Sequence, residues 1–298
     1  MNARGTPGGS GQTGLGAGVT VVDGRDVEWI NGRDVFATMA PAFRDNLGDP
    51  ARVDELLGRY WLRALWVDPE STRRIDHVRT NPGYEDLSEA YHGSVEEAFF
   101  LGGRAMLTAE GEMHPGDYFW RPPGWVHSAA SAAGFECLLM MEGEEPGEGS
   151  GRVSRVVCAD EDAGHNALLP ADRSDEEGRI GPRGYVRRLE TRFLPAGDHD
   201  DTSTCLAGPG APSLSSRVLS RNVRTGSASV LVTLPAGWVS AVPAVDRERF
   251  LVVVAGSLEV DGRELTACSL VRMAAGDAGP DLSCERGADV LVKVTSPR

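Results

Sequence analysis

The chain contains an internal repeat, and this repeat restricts the fold more than any other feature of the sequence. Residues 65–84 (LWVDPESTRRIDHVRTNPGY) align without a gap with residues 219–238 (LSRNVRTGSASVLVTLPAGW), at an offset of 154. Residues 96–127 align with residues 249–279 as the offset falls to 153 and then 152. Because loops accept deletions more readily than strands do, such one-residue shortenings are typical of a duplicated domain. We therefore expect two domains of one fold.

Each copy has the pattern of an all-β domain. FECLLMME, SVLVTL, FLVVVAG and DVLVKV are short apolar or alternating runs with turn residues at or near their ends. Many short strands with frequent turns predict an antiparallel sandwich or barrel. Helical periodicity is found only in residues 49–62, where five residues share one face and Asp49 is placed to cap the first turn: Val53, Leu56, Leu57, Tyr60 and Trp61. We expect a short helical insertion there, between a first strand near residues 19–30 and the first barrel.

Composition sets the predicted domain boundaries. Residues 1–19 are rich in glycine and have too few apolar side chains to offset the entropy of ordering, so they are expected to form a disordered tail. The first domain is predicted at 20–145 and the second at 184–298. The polar, glycine-rich residues 146–183 are predicted to form the linker.

Charge and composition exclude several classes of partner. The net charge of −14 argues against a nucleic-acid partner, because phosphate binding needs a basic surface. No run of about 18 apolar residues is available to cross a membrane, and the N-terminus lacks the pattern of a signal peptide. The five cysteines show no CxxC spacing and are expected to be reduced thiols. We therefore expect a cytoplasmic protein without membrane or nucleic-acid partners.

Two spaced motifs lie in the first copy. Residues 116–127 (GDYFWRPPGWVH) fit the pattern Gly-x5-Pro-x-Gly-x2-His. Upstream, His92, Glu96 and Gly103 fit the second half of the pattern His-x-His-x3-Glu-x6-Gly. In this order the two motifs resemble those of the cupin superfamily, and the resemblance covers both halves of the chain from about Ala64. It implies two tandem cupin barrels, of the double-stranded β-helix or jelly-roll type.

The resemblance also implies a divalent metal ion held by His92, Glu96 and His127. Imidazole and carboxylate ligands suit Fe, Zn, Mn, Ni or Cu. The first histidine of the family motif falls at Ala90, which leaves two histidines and one carboxylate with open positions. This is the ligand set of non-haem Fe(II) oxygenases, so Fe(II) is favoured. The alternative is that the site is vestigial and the two histidines are merely hydrogen-bonded barrel residues.

Strand alternation separates neighbouring side chains around Glu96. Residues on one strand point alternately to opposite faces. Glu96, Ala98, Phe100 and Gly102 are therefore expected on one face, and Glu97, with residues 99 and 101, on the other. If Glu96 faces the metal ion, Glu97 does not.

The second copy lacks metal-binding side chains at the equivalent positions, which are Pro243, Val245, Arg249 and Gly279. The second barrel is therefore expected to be metal-free. Arg249, in the place of the carboxylate, could bind an anion, but a charge at the barrel mouth or surface is the favoured interpretation.

Six residues are candidates for a substrate pocket: His77, Arg79, Tyr91, Phe100, Tyr118 and Trp120. His77 and Arg79 share one face of the strand before the motif and could line the first barrel, but a solvated strand face is the slightly favoured interpretation. The aromatic residues could stack on a planar substrate, but aromatic residues are also normal core filling in a β-sandwich.

These observations favour a metal-dependent enzyme acting on a small oxygen-bearing molecule, with a dioxygenase-type reaction preferred. A non-redox metal-dependent isomerase or lyase is one alternative. A non-catalytic small-molecule-binding or sensory bicupin is another. The expected partners are a small-molecule substrate and a second copy of the chain in a homodimer.

Overall fold

The computed structural model of the chain is mostly β-sheet with few helices, which confirms the all-β prediction. It describes residues 12–14, 18–38, 44, 49–68, 71, 73–87, 89–91, 94–121, 125–144, 155–156, 172–173, 179–180, 184–197, 206–207, 214–222 and 226–295. His92 and residues 122–124 lie outside these residues.

The described chain divides into two compact units. The first unit comprises residues 29–196 and 217–229, and the second comprises residues 1–28, 197–216 and 230–298. Neither unit is one continuous stretch of chain, whereas the sequence analysis gave each domain a single stretch.

The strands are numbered in chain order. Before residue 196 they are β1 Gln12–Gly14, β2 Val19–Val22, β3 Ile30–Asn31, β4 Tyr60–Val67, β5 Arg74–Thr80, β6 Tyr84–Glu85, β7 Ala90–Tyr91, β8 Ser94–Gly103, β9 Ala105–Leu107, β10 Gly111–Met113, β11 Asp117–Arg121, β12 Ala129–Ser131, β13 Phe135–Glu144, β14 Arg155–Val156, β15 Asp172–Arg173, β16 Arg179–Ile180 and β17 Gly184–Glu190. After it they are β18 Ser215–Asn222, β19 Ala228–Leu234, β20 Trp238–Ala241, β21 Arg249–Val260, β22 Arg263–Thr266, β23 Leu270–Met273, β24 Asp281–Cys284 and β25 Ala288–Val294. The short strands β14, β15 and β16 fall within the predicted linker.

Two sheets enclose the core of the first unit. One has the strand order β15-β17-β11-β8-β13-β5-β4-β3 and the other has the order β10-β9-β12-β6. The core cluster takes Val78, Phe100 and Phe119 from the larger sheet and Leu107 and Met113 from the smaller one. The hydrophobic core therefore lies between the two sheets, as in a sandwich or barrel.

The described segments before β4 include two short α-helices. Helix α1 spans Gly32–Ala37, and helix α2 spans Pro50–Leu57 with the Asp49 side chain accepting a hydrogen bond from the Ala51 N–H. One-turn 3-10 helices lie at Gly24–Asp26 and Thr191–Phe193.

Helix α2 is shorter than the stretch 49–62 that periodicity predicted. It ends at Leu57 with Gly58 as its C-cap, and Tyr60 begins strand β4. Aromatic residues favour strands, and YWLRALWV pairs along its length with β5, so pairing overrides the apparent helical stripe.

The second unit begins with the N-terminal residues. Strand β2 pairs antiparallel with β23, and the order continues through β21 and β25 to β19. Strand β1, at residues 12–14, pairs with β2 in turn. An ordered strand therefore lies within the segment 1–19 that composition predicted to be disordered, because its backbone hydrogen bonds are supplied by β2. The rest of that segment up to residue 17 lies outside the described residues.

One glycine contact recurs in both units at an offset of 153 residues. Gly103 has a φ of +71°, and a Cβ placed on it would lie 2.2 Å from the carbonyl oxygen of Gly134. Gly256 has a φ of +76°, and its Cβ would lie 2.3 Å from the carbonyl oxygen of Gly287. A side chain is excluded at both positions by sterics and by backbone conformation. The repeat seen in the sequence therefore extends to a local constraint on the backbone.

Candidate metal and substrate site

Glu96 and His127 face one cavity inside the first unit. The cavity has a volume of about 290 Å³, and its lining includes Glu96, Ala98 and Phe100 from alternate positions of β8. Phe99 pairs with Leu138 and Tyr118 on the neighbouring strands and does not line the cavity. The alternation expected for this strand is therefore found, with Glu96 on the inward face.

Strand β11, the neighbour of β8 in the same sheet, continues this wall of the cavity. Phe119 and Arg121 line it, while the residues between and before them point the other way. Antiparallel register places Arg121 opposite Glu96 and Phe119 opposite Ala98. Because opposite residues on paired strands share a face, the register brings the Arg121 guanidinium next to the Glu96 carboxylate.

The His127 ring is oriented by a backbone carbonyl. Its Nδ1 atom lies 2.8 Å from the carbonyl oxygen of Trp125, and its Nε2 atom lies 3.3 Å from Oε2 of Glu96. A carbonyl oxygen only accepts hydrogen bonds, so Nδ1 carries a proton. In the neutral ring, Nε2 then presents its lone pair towards the Glu96 carboxylate. Two acceptor atoms at this distance require a proton or a cation between them.

Arg121 is held by two buried carboxylates. Its Nε and Nη2 atoms each lie 3.0 Å from an oxygen of Glu110, and its Nη1 atom lies 3.2 Å from Oε2 of Glu96. The three side chains are at most 8% exposed. The bidentate pair with Glu110 balances the guanidinium charge, because this geometry is the strong form of the Arg–carboxylate interaction. The guanidinium therefore bridges the two carboxylates, with its bidentate contact made to Glu110.

Asp86 adds a further acidic group to the cavity lining. Its Oδ2 atom accepts a hydrogen bond of 2.6 Å from the Ala129 N–H, and its Oδ1 atom accepts one from the Tyr84 hydroxyl. Burial raises the pKa of Asp86 to about 6, against the lowering effect of these hydrogen bonds. The Asp86 carboxyl group at the polar end of the cavity therefore becomes negatively charged as the pH rises through about 6.

The described donor atoms fit a divalent metal ion. Ligand atoms about 2.1 Å from one ion are themselves roughly 3.0 to 3.4 Å apart, and the Nε2–Oε2 separation of 3.3 Å falls in this range. Metal-binding histidines usually donate their other ring N–H to a carbonyl or carboxylate, as His127 does to Trp125. Within the described part of the chain no group of three or more His, Cys, Asp or Glu side chains gathers at one point. His92, the third ligand implied by the motif, lies outside that part.

The other pocket candidates divide between two faces of the larger sheet. Phe100 lines the cavity. Tyr118 and Trp120 alternate with the inward residues of β11, so both lie on the opposite face, where Tyr118 donates a hydrogen bond to Glu97. His77 and Arg79 flank the inward Val78 on β5 and also lie on that opposite face. For Tyr91 only the backbone, in strand β7, is described.

Several cavity residues were not found from the sequence. Arg121 and Asp86 lie at its polar end, where Glu110 holds Arg121 without lining the cavity itself, and Val35 and Leu56 bring helices α1 and α2 into the lining. Glu110 lies between β9 and β10 and Arg121 ends β11, which belongs to the other sheet, so only the packing of the two sheets reveals the pair. One available signal was the charged Arg121, which follows three aromatic residues and directly precedes the sequence Pro-Pro-Gly.

Arg249 of the second unit is fully buried, with an exposure of 0%. Its Nη2 atom lies 3.5 Å from the carbonyl oxygen of Asp277. The favoured interpretation of this residue as a charge at the barrel mouth or surface was therefore wrong. Arg249 is the first residue of strand β21. This strand is paired with β23 on one side and with β25 on the other, which accounts for the burial.

Solved structures with a similar fold identify the architecture. A proposed dioxygenase from Nostoc punctiforme superposes with a TM-score of 0.65 at 15% identity, over 95% of this chain and 84% of that one. The pirin YhhW from Escherichia coli, in complex with nickel(II), gives 0.55 at 11% identity over 94% and 100%. The protein Ylba from the same organism gives 0.54 at 10% identity over 94% and 92%. The chain has a cupin fold.

No family model and no curated protein sequence matches the chain. Among the described residues, no helix is both long and apolar enough to cross a membrane.

Proposed function

We propose that this cupin is a metal-dependent enzyme that acts on a small oxygen-bearing molecule, with dioxygenase-type chemistry. One observation carries the proposal: Nε2 of His127 and Oε2 of Glu96 lie 3.3 Å apart and both face a mainly apolar cavity. His92, four residues before Glu96, is proposed as the third ligand. Fe(II) is the favoured ion, with Zn, Mn, Ni and Cu as the other candidates.

The structural neighbours support a metal ion in this fold. The pirin neighbour was crystallised with nickel(II), and the Nostoc protein is named as a proposed dioxygenase. At 11% and 15% identity, neither carries its reaction over to this chain. They support the proposal only as proteins of similar fold, one of which is described with a bound metal ion.

Each residue of the site has a task in the proposed reaction. The Trp125 carbonyl fixes the orientation of the His127 ring. Arg121, held by Glu110, fixes the carboxylate of Glu96. A bound metal ion would supply Lewis-acid or O2-activating chemistry to a chelated oxygen atom. Apolar residues such as Phe100 and Phe119 exclude water and receive the carbon skeleton of the substrate.

We further propose that the chain is a bicupin, with two tandem barrels of which only the first binds metal. The recurring Gly103–Gly134 and Gly256–Gly287 contacts support the duplication. The buried guanidinium of Arg249 stands where the first unit has Glu96, and a cation there disfavours a second cation. A homodimer and a cytoplasmic location, both expected from the sequence, remain predictions.

A non-catalytic ligand-binding cupin is the second candidate, and a specific contact favours it. Arg121 Nη1 already lies 3.2 Å from the same Glu96 oxygen that His127 approaches. A protonated His127 could then complete a chain of alternating charges through Glu96, Arg121 and Glu110 without any metal ion.

Oxygen consumption tests the dioxygenase proposal. The Fe(II)-loaded protein would be incubated with a panel of enols, diketones and catechol-like compounds, beside His127→Ala. His114→Ala is a matched control, because His114 also lies beside a glutamate, 3.7 Å from Glu112, but is about one-third exposed. We expect O2 uptake with at least one compound for the wild type and the control, and none for His127→Ala. Equal uptake by all three proteins, or none by any, would contradict the proposal.

A further inference from the structure

Asp86 is held in the cavity lining by neutral hydrogen-bond donors. Its Oδ2 atom accepts a hydrogen bond of 2.6 Å from the Ala129 N–H, and its Oδ1 atom accepts one from the Tyr84 hydroxyl. The Asp86 N–H in turn donates to the Ala129 carbonyl oxygen at 2.8 Å, so both the main chain and the side chain of Asp86 are joined to β12. Among the described residues, no basic side chain forms an ion pair with Asp86.

This attachment places the Asp86 carboxyl group near the proposed metal ligands. Ala129 lies two residues after His127, and both line the cavity. Two residues of extended chain span about 7 Å. The charges of Glu96 and Arg121 both act on the Asp86 carboxyl group. Asp86 therefore faces the same cavity as Glu96 and His127, where a substrate of the proposed reaction would lie.

The Asp86 carboxylate is able to accept a proton there. A carboxylate has about four lone-pair sites, and the two hydrogen bonds use one on each oxygen. Burial raises the pKa of Asp86 to about 6, which makes the group a stronger base than an exposed aspartate. Tyr84 cannot take this role, because burial and the charge of Asp86 raise the pKa of its hydroxyl well above the usual range. It remains a donor that orients Asp86.

We propose that Asp86 is the general base of this site and accepts the proton of a phenolic or enolic hydroxyl group of the substrate. The substrate O–H bond breaks, the proton passes to the second lone pair of an Asp86 oxygen, and the electron pair stays on the substrate oxygen. The net charge of the cavity is unchanged, because Asp86 becomes neutral as the substrate becomes an anion. The inference rests on the proposed function, which needs an oxygen atom able to chelate the metal ion.

Binding of maltol to the zinc-loaded full chain tests this role. Maltol is a small ring ketone with one acidic enol hydroxyl group, and zinc(II) does not oxidise it. Its absorbance shows whether the hydroxyl group is ionised, and calorimetry in buffers of different ionisation enthalpy counts the protons released. At neutral pH the wild type should bind ionised maltol and keep the proton, whereas Asp86→Asn should release about one proton more per bound molecule.

Asp117→Asn is the matched control. Asp117 also accepts a backbone N–H, from His114 at 2.8 Å, and a side-chain donor, Nε of Arg188 at 2.9 Å, but it does not line the cavity. This variant should release as few protons as the wild type. Asp86→Glu keeps a carboxylate and should release fewer protons than Asp86→Asn. Equal proton release by the wild type and Asp86→Asn, or no ionisation of maltol by the wild type, would overturn the proposal.

The zinc content of the same samples separates this failure from failure of the proposed function. A wild type that retains zinc but releases as many protons as Asp86→Asn contradicts the role of Asp86 alone. A wild type without zinc contradicts the proposed metal site and, with it, the role of Asp86.

Discussion

Arg121 and His127 converge on a single atom, Oε2 of Glu96, at 3.2 and 3.3 Å. The two contacts differ in kind. The guanidinium is always charged and is itself held by Glu110, whereas the imidazole can exchange a proton for a metal ion. Of these two contacts, the one with Arg121 is permanent, and the one with His127 depends on a proton or a metal ion. Substitutions at Glu96 and at Arg121 should therefore have different effects.

Glu96→Gln should weaken metal binding by at least about tenfold, the effect expected even for loss of a residue that only supports a ligand. The amide keeps the shape of the side chain but removes the anionic oxygen that faces His127. Metal affinity would be measured by competition with a chromophoric chelator. An unchanged affinity would exclude Glu96 as a ligand.

Glu97→Gln should leave metal affinity unchanged and lower the free energy of unfolding by about 1 to 2 kcal/mol. Glu97 is fully buried on the opposite face, where it accepts hydrogen bonds from the hydroxyls of Tyr118 and Ser229. The loss of the Glu97 charge weakens these charge-assisted hydrogen bonds but changes no residue that lines the cavity. Urea unfolding and the same chelator competition provide the two readouts. If the two glutamate variants exchanged their effects, the assigned strand register would be wrong by one residue.

Arg121→Met should lower the free energy of unfolding by about 3 to 5 kcal/mol, because it leaves buried carboxylates without their cation. The double variant Arg121→Met/Glu110→Leu should recover much of this loss, since it removes both members of the bidentate pair. Denaturant unfolding of the two single variants and the double variant gives the coupling between them. Purely additive losses would show that the pair is not coupled in the folded protein.

The free energy of unfolding should fall on acidification from pH 6.5 to pH 4, by an amount that His77→Gln abolishes. The pKa of His77 is lowered to about 4 by burial, so the folded state binds this proton less tightly than the unfolded state. Stability from this residue is therefore complete above the unfolded pKa and is lost as pH falls towards the folded one. The shift corresponds to at most about 3 kcal/mol. Urea unfolding at several pH values would reveal it, and parallel pH profiles for the wild type and the variant would argue against it.

The sequence was sufficient for the features that depend on spacing. The alternation along SVEEAFFLGG correctly separated Glu96 from Glu97, because a strand has a strict period of two. The all-β class followed from the many short runs. These predictions needed only residues close together in the chain.

Features that depend on pairing between distant strands could not be obtained in this way. Tyr118 and Trp120 lie away from the cavity, because strand β11 turns its other residues, Phe119 and Arg121, towards Glu96. The position of His127 could not predict which residues of β11 face the cavity, because residues 122–126 separate it from the strand and need not keep the alternation. The pairing of β2 with β23 was also missed. The two strands lie about 250 residues apart, and nothing in either sequence indicates the other as its pairing partner.

The metal content of purified protein shows directly whether the cavity that Glu96 and His127 face binds a metal ion. Inductively coupled plasma mass spectrometry would be applied to the wild type, to His92→Ala/His127→Ala and to the matched control His114→Ala, each after Fe(II) loading and desalting. We expect about one metal ion per chain in the wild type and the control, and none in the double variant. A wild type without stoichiometric metal, or a double variant that retains it, would contradict the assignment of this cavity as a metal site.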